Sequence, residues 1–153
     1  MMKKEYDAAG IGSPLVDFTI EVSDSVLDDL GLKKGQMHLI DEKKSRDIFS
    51  KVKDYKMDKT PGGSSANTLA GLAILGGKGV LFGKVGNDAN ADYYIDETGK
   101  SGIKSRLLRH NSMTGHAITL VTPDFGRTFA THLGAAVHFR KEEDPERAAR
   151  LPR

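Results

Sequence analysis

Between Gly62 and Asn67 the chain reads Gly-Gly-Ser-Ser-Ala-Asn and runs straight into Thr68-Leu-Ala-Gly-Leu-Ala-Ile-Leu75. Two adjacent glycines let a backbone come close to a ligand, and a helix starting behind them offers N–H groups with no partner of their own. Asn67 adds one amide side chain, donor and acceptor together, in the first turn. That combination suits a hydroxylated or phosphorylated small molecule. The same residues also read as a glycine turn followed by a serine N-cap, with Asn67 bonded to its own helix start. Other reactive side chains are sparse. The absence of cysteine removes thiolate catalysis, disulfides and cysteine zinc sites, and His38, His110, His116, His132 and His138 form no HxxxH or HExxH pair, so no metal site is expected.

A chain of 153 residues, 38% hydrophobic and 29% charged, is long enough for one ordinary core and one domain. Its 23 basic and 21 acidic residues are spread along the chain and leave a net charge of +2, so neither nucleic acid nor an anionic membrane surface is expected as a partner. Met-Met-Lys-Lys-Glu-Tyr-Asp is followed by no apolar signal region, and no stretch has membrane-spanning length. The expectation is a soluble cytoplasmic protein.

The elements that must position the motif alternate. Ala8 to Val16 is small and apolar and reads as a buried strand leaving through Ser13-Pro14, with Asp17 at its end. Phe18 to Val22 reads as an extra extended segment. Ser23 or Asp24 caps a short helix, Ser25 to Leu30, which Gly31 closes. Met37 to Ile40 is strand-like, and Asp41 caps a helix from Glu42 to Lys53 whose Ile48, Phe49 and Val52 share a face. Ser65 to Leu75 is apolar nearly all round, which predicts a buried helix ended by Gly76-Gly77. Val80 to Phe82 is a buried strand, and Asn87-Asp88 opens a polar helix to about Thr98. Lys104 to Arg109, His116 to Thr122 and Arg127 to Leu133 are strands, the last two a hairpin about Pro123-Asp-Phe-Gly126. The charged residues 139–153 predict a surface helix from near Pro145. The pattern is α/β, a sheet with flanking helices plus strands outside the alternation.

In order along the chain stand Gly12 with Asp17, then Gly62 to Asn67, then Gly83-Lys-Val-Gly-Asn-Asp88, then Thr114-Gly115, then Gly126-Arg127 and Leu133-Gly-Ala135. This series resembles the N-terminal half of the PfkB (ribokinase-like) family of sugar and nucleoside kinases, most closely its adenosine-kinase-like branch, from about Ala8 to Val137. Ser65 departs from it, standing where many members have Gly, Ala or Pro. The resemblance implies a ribokinase-like sheet with flanking helices and a small β lid. It also implies a chain that stops before the ATP-binding half, because no Gly-Ala-Gly-Asp run, the family's catalytic base and anion hole, occurs here. ATP and Mg2+ are expected for the full-length family, at sites largely outside this chain.

The resemblance assigns residues to the acceptor. Asp17, an acceptor-only carboxylate, is suited to gripping two sugar hydroxyls, and in the family the matching Asp does so; the alternative is a solvated turn aspartate. Asn67 would meet another hydroxyl while Gly62 and Gly63 let the sugar lie on the backbone, and Ser64 between them counts among the substrate-binding residues. Arg127 is the phosphate-stabilising candidate, or else a surface arginine. Phe129, Thr131 and Leu133 share a strand face that in the resembling branch lies against the nucleoside, though by residue type alone Phe129 and Leu133 are core. Met37 and Gln36 join them from a lid strand, and His116 reads as structural. The implied function is ATP-dependent phosphoryl transfer to a hydroxymethyl group of an adenosine-like, ribose-like or fructose-like acceptor, with no catalytic residue in this chain; the alternative is a non-catalytic binding or interaction module that keeps the acceptor site. Self-association through lid strands or an exposed sheet edge is also expected.

Overall fold

The computed structural model describes residues 5–143. Its strands are β1 (Ala8–Ile11), β2 (Leu15–Glu21), β3 (Met37–Leu39), β4 (Met57–Gly62), β5 (Gly79–Gly86), β6 (Ile103–His110), β7 (Gly115–Val121) and β8 (Arg127–His132). Its α-helices are α1 (Asp24–Leu30), α2 (Glu42–Val52), α3 (Ser64–Ile74) and α4 (Ala89–Lys100). A three-stranded parallel sheet has the order β1-β5-β6, and a five-stranded mixed sheet, the lid, has the order β3-β8-β7-β2-β4. The fold is the mixed α/β arrangement that the alternation predicts.

The apolar stretch from Ala8 to Val16 divides into two strands in different sheets. Gly12-Ser13-Pro14 interrupts the ladder, since proline has no N–H to give, and the chain crosses there from the parallel sheet to the lid. Asp17 therefore lies inside β2 and not at a strand end, paired with Ala117 on one side and Thr60 on the other. Phe18 to Glu21 belongs to the same strand.

The lid edge β4 has no counterpart among the expected elements. Its sequence, Met-Asp-Lys-Thr-Pro-Gly, is polar and contains Pro61. Both are features of an edge strand, where one side makes no ladder bonds and charge discourages further pairing. The Gly62-Gly63 pair is not a free turn: Gly62 ends β4, and Gly63 is the N-cap of α3 with no capping side chain. Helix α3 is also less buried than its composition predicts. Ala66 and Leu69 are buried, but Ile74 and Leu75 are 85% and 86% exposed, because only one face of the helix packs on the parallel sheet.

Two cores result. Ile20, Ile118, Leu120 and Ala130 of the lid pack on Leu27, Leu30, Ile48 and Val52 of α1 and α2. Val16, Phe18, Ala66, Leu69, Leu81, Tyr94 and Ile103 form the other core, with α3 and α4. Each large side chain so buried contributes about 1.5–3 kcal/mol. Capping agrees with the sequence at two helices: Asp41 accepts from Lys44 N at 2.7 Å, and Asp88 accepts from Ala91 N at 2.9 Å. The hairpin β7–β8 forms as expected. Strand β5 is longer than its apolar centre and is buried along its whole length. Lys141–Glu143 form one 3-10 turn, and the surface helix expected from near Pro145 lies outside the described residues.

Candidate functional site

Register decides which residues share the lid face turned away from α1 and α2. Thr60, Asp17, Ala117, Thr131 and Leu39 form one cross-strand row, and Asp58, Thr19, Thr119, Phe129 and Met37 form the next. Side chains alternate along a strand, so both rows project opposite to Ile20, Ile118, Leu120 and Ala130. The face is open at its β3 edge, where Met37 and Leu39 are 60% and 66% exposed. Leu39 was not a candidate from sequence, although the alternation Met-His-Leu places it beside Met37. Gln36 contributes its carbonyl to the ladder, accepting from Phe129 N at 2.9 Å.

At the β4 end of this face Asp17 bends over Gly62. A Cβ on Gly62 would stand 2.7 Å from Asp17 Oδ1 and closer still to Oδ2, so any side chain there would force the carboxylate or the strand to shift. Burial pushes the Asp17 pKa up from its ordinary value, and the positive charge of Arg127 partly offsets this. Gly63 follows with φ 97°, a left-handed conformation, and its missing Cβ leaves room for the carbonyl oxygen of Ser13. Ser65 Oγ donates to Ile11 O at 2.8 Å and ties the start of α3 to β1, which gives the departure from the family pattern a structural use.

A pocket of about 280 Å³ opens at this helix start, lined by Gly12, Ser13, Leu15, Gly63, Ser64 and Leu133 among others. Leu133 also lines a larger cleft of about 640 Å³ together with Leu39, Thr131, Asn87, Asn111 and Val137. Leu133 thus lines both cavities. Asn67 lies in the first turn of α3, exposed, and among the described residues its side chain makes no hydrogen bond, so it is not bonded to its own helix start. Arg127 stands at the opposite end of β8 from Thr131. It is exposed, with its guanidinium 5.5 Å from the centre of the Phe129 ring. Gly62, Gly63, Ser64, Leu133 and Asp17 are therefore gathered at one end, while Met37, Phe129 and Thr131 extend from it across the lid.

Two further hydrogen-bonded motifs tie the elements around this site together. Thr114 donates to Asp88 through its backbone N at 2.7 Å and its Oγ1 at 2.6 Å, while Oγ1 accepts from Gly86 N at 3.0 Å. Burial works against the charge on Asp88, but bonds from Thr114, Ala91 and Asn90 outweigh it and hold the carboxyl below its ordinary pKa. His116 is buried and hydrogen-bonded to Ser45 Oγ at 2.6 Å, which fastens α2 to β7. Among the described residues no group of three or more His, Asp or Glu side chains is placed to hold a metal ion, and no helix is long and apolar enough to cross a membrane.

Residues 32–151 match the family model described as pfkB family carbohydrate kinase, which is most of the chain. The chain belongs to the PfkB family. Among curated PfkB relatives, the adenosine kinase of Saccharomyces cerevisiae is 33% identical over 153 aligned residues, covering 92% of this chain and 45% of that enzyme. Among solved structures, adenosine kinase from Sinorhizobium meliloti superposes with a TM-score of 0.82 at 30% identity, over 95% of this chain and 44% of that one. A probable sugar kinase from Rhizobium etli does so equally well, with a TM-score of 0.82 at 29% identity, over 94% and 43%. The chain thus has the ribokinase-like fold and spans under half the length of these relatives. PfkB kinases use ATP and a metal ion in general. Among the described residues no donor set for the metal is assembled.

Proposed function

We propose that residues 1–153 are the substrate-and-lid part of an ATP-dependent nucleoside or sugar kinase that phosphorylates a hydroxymethyl group. The observation that carries this reading is the Asp17 carboxylate held over Gly62 at the head of an open, partly apolar lid face. Ionised Asp17 accepts from two neighbouring hydroxyls of the acceptor, and Asn67 and Ser64 meet a further hydroxyl above the Gly62-Gly63 backbone. Phe129, Met37, Leu39, Thr131 and Leu133 cover the rest of the acceptor and exclude water from it. Arg127 brings positive charge to the lid, toward the phosphoryl group that would arrive. Phosphoryl transfer depends on such alignment, and these residues supply the acceptor side of it.

Titration calorimetry of the purified chain with adenosine, ribose and fructose tests the reading. Asp17→Ala removes a charged hydrogen-bond acceptor and is expected to weaken binding about ten- to a hundredfold. Equal binding by wild type and Asp17→Ala, or no binding of any of the three, overturns it. As a hypothesis, the chain alone transfers no phosphate, since it contains no Gly-Ala-Gly-Asp run; ATP-dependent phosphorylation of any of the three acceptors would contradict this. Binding without turnover is also what a non-catalytic binding module would show, and the acceptor residues gathered within this one chain favour keeping that second reading.

The chain is further proposed to self-associate. Edge strands β1, β3 and β4 and the exposed Ile74, Leu75, Met37 and Leu39 offer the surface for it. Sedimentation velocity reads the outcome, and a concentration-independent monomer would refute it.

A further inference from the structure

The floor of the acceptor site is fastened from below by α4. Tyr94 is wholly buried, and its hydroxyl donates to the carbonyl oxygen of Gly62 at 2.8 Å. Its neighbour Tyr93 donates to Lys59 O at 2.6 Å, further back on the same strand. The Lys59 ammonium lies 4.1 Å from the centre of the Tyr93 ring and 5.7 Å from that of Phe18. Both tyrosines thus hold β4, the lid edge, whose ladder partner among the described residues is β2.

A buried phenol is costly without a hydrogen bond, and phenylalanine would fill the same space, so the hydroxyl of Tyr94 has its use in the bond to Gly62. That bond bears on the acceptor site through a short path. The Gly62 carbonyl sets the height of the Gly62 backbone, which lies against the Asp17 carboxylate, and Gly63 continues from it at φ 97° into α3. Burial and the Asp17 charge both push the Tyr94 phenol well above its ordinary pKa, so it stays a neutral donor.

We propose that Tyr94 is a positioning residue for the acceptor site, acting through the Gly62 carbonyl to hold the Gly62-Gly63 backbone in register with the Asp17 carboxylate. The inference rests on the acceptor reading of Asp17 and adds to it a buried group that touches no substrate. Tyr93 is the internal control, because it makes the same kind of bond to the same strand away from the glycines.

The test compares Tyr94→Phe, Tyr93→Phe, Asp17→Asn and the double variant Tyr94→Phe/Asp17→Asn in the full chain. Both tyrosine variants are expected to lower the unfolding midpoint, Tyr94→Phe by more, because its bond is buried and that of Tyr93 is only partly so. Tyr94→Phe alone is expected to weaken adenosine or ribose binding, by about five- to tenfold, and to weaken it much less once Asp17 is already Asn. Wild-type affinity in Tyr94→Phe, or the same loss with Asp17 and with Asn at that position, overturns the inference. If wild type binds neither acceptor, the acceptor reading fails by itself, and carbon NMR of the Asp17 carboxyl then decides the role of Tyr94. A titration midpoint lowered in Tyr94→Phe and unmoved in Tyr93→Phe supports it, because a loosened floor admits water to Asp17. An unmoved midpoint in Tyr94→Phe overturns it.

Discussion

The Asp17 carboxylate occupies the space that a side chain on Gly62 would need, with Oδ1 2.7 Å from where a Cβ would stand. Gly62→Ala therefore forces the carboxylate or β4 to move. The expected loss is about 1–3 kcal/mol of stability, as for overpacking in a core, together with weaker acceptor binding. Gly71→Ala is the matched control: it lies within α3 with no atom near the added methyl and is expected to stabilise by about 0.5–1 kcal/mol. Urea denaturation of the two variants gives the comparison, and equal midpoints would contradict the close approach.

Thr114 is the donor that joins the lid to the α4 end of the parallel sheet through Asp88. Thr114→Val preserves the shape but removes Oγ1, leaving Gly86 N–H without its acceptor and Asp88 with one donor fewer. A destabilisation of about 1–3 kcal/mol is expected. The double variant with Asp88→Ala should lose less than the sum of the singles, because both break one network. Additive losses would mean that the two residues act separately.

His116 makes stability depend on pH. Burial lowers its pKa, and the nearby His132 acts the same way, while the Thr114 carbonyl and Asp88 oppose them. The folded chain then binds fewer protons than the unfolded chain just below the ordinary histidine value. Stability is complete above about pH 6.5 and falls as pH drops through the window between the unfolded and folded values. Denaturation at pH 7.5 and pH 5.5 is expected to show this loss in wild type and a smaller loss in His116→Gln. An equal loss in both would assign the effect elsewhere.

Phe125 holds φ 63° at the tip of the β7–β8 hairpin while 86% exposed. A bulky side chain in the left-handed region is strained by about 1–2 kcal/mol, and this one recovers little by burial. Phe125→Gly should raise the thermal midpoint, the relief exceeding glycine's added freedom in the unfolded chain. A lowered midpoint would show that the phenyl ring contributes more than its exposure suggests.

Much of the fold was legible because its signals are local. Asp41 and Asp88 read as caps, Gly31 as a helix end and Pro123-Asp-Phe-Gly126 as a hairpin turn, and each depends on only a few neighbouring residues. Strand β4 was not legible, since Met-Asp-Lys-Thr-Pro-Gly has the polarity of a loop and becomes a strand by pairing with β2. The apolar composition of α3 overstates its burial, because it does not say how many of its faces find a partner within this chain.

The sequence by itself determined the α/β alternation and the membership signalled by its ordered motifs. Residue types, turn chemistry and hydrophobic period act over a few positions and survive without a partner. Only the tertiary structure decided that Asp17 sits within a strand and over Gly62, that Leu39 stands beside Thr131, and that Tyr94 supports the glycines from beneath. These relations depend on register between strands distant in the chain and on one helix crossing a sheet edge. No local pattern encodes such distances, because they are set by how the two cores pack together.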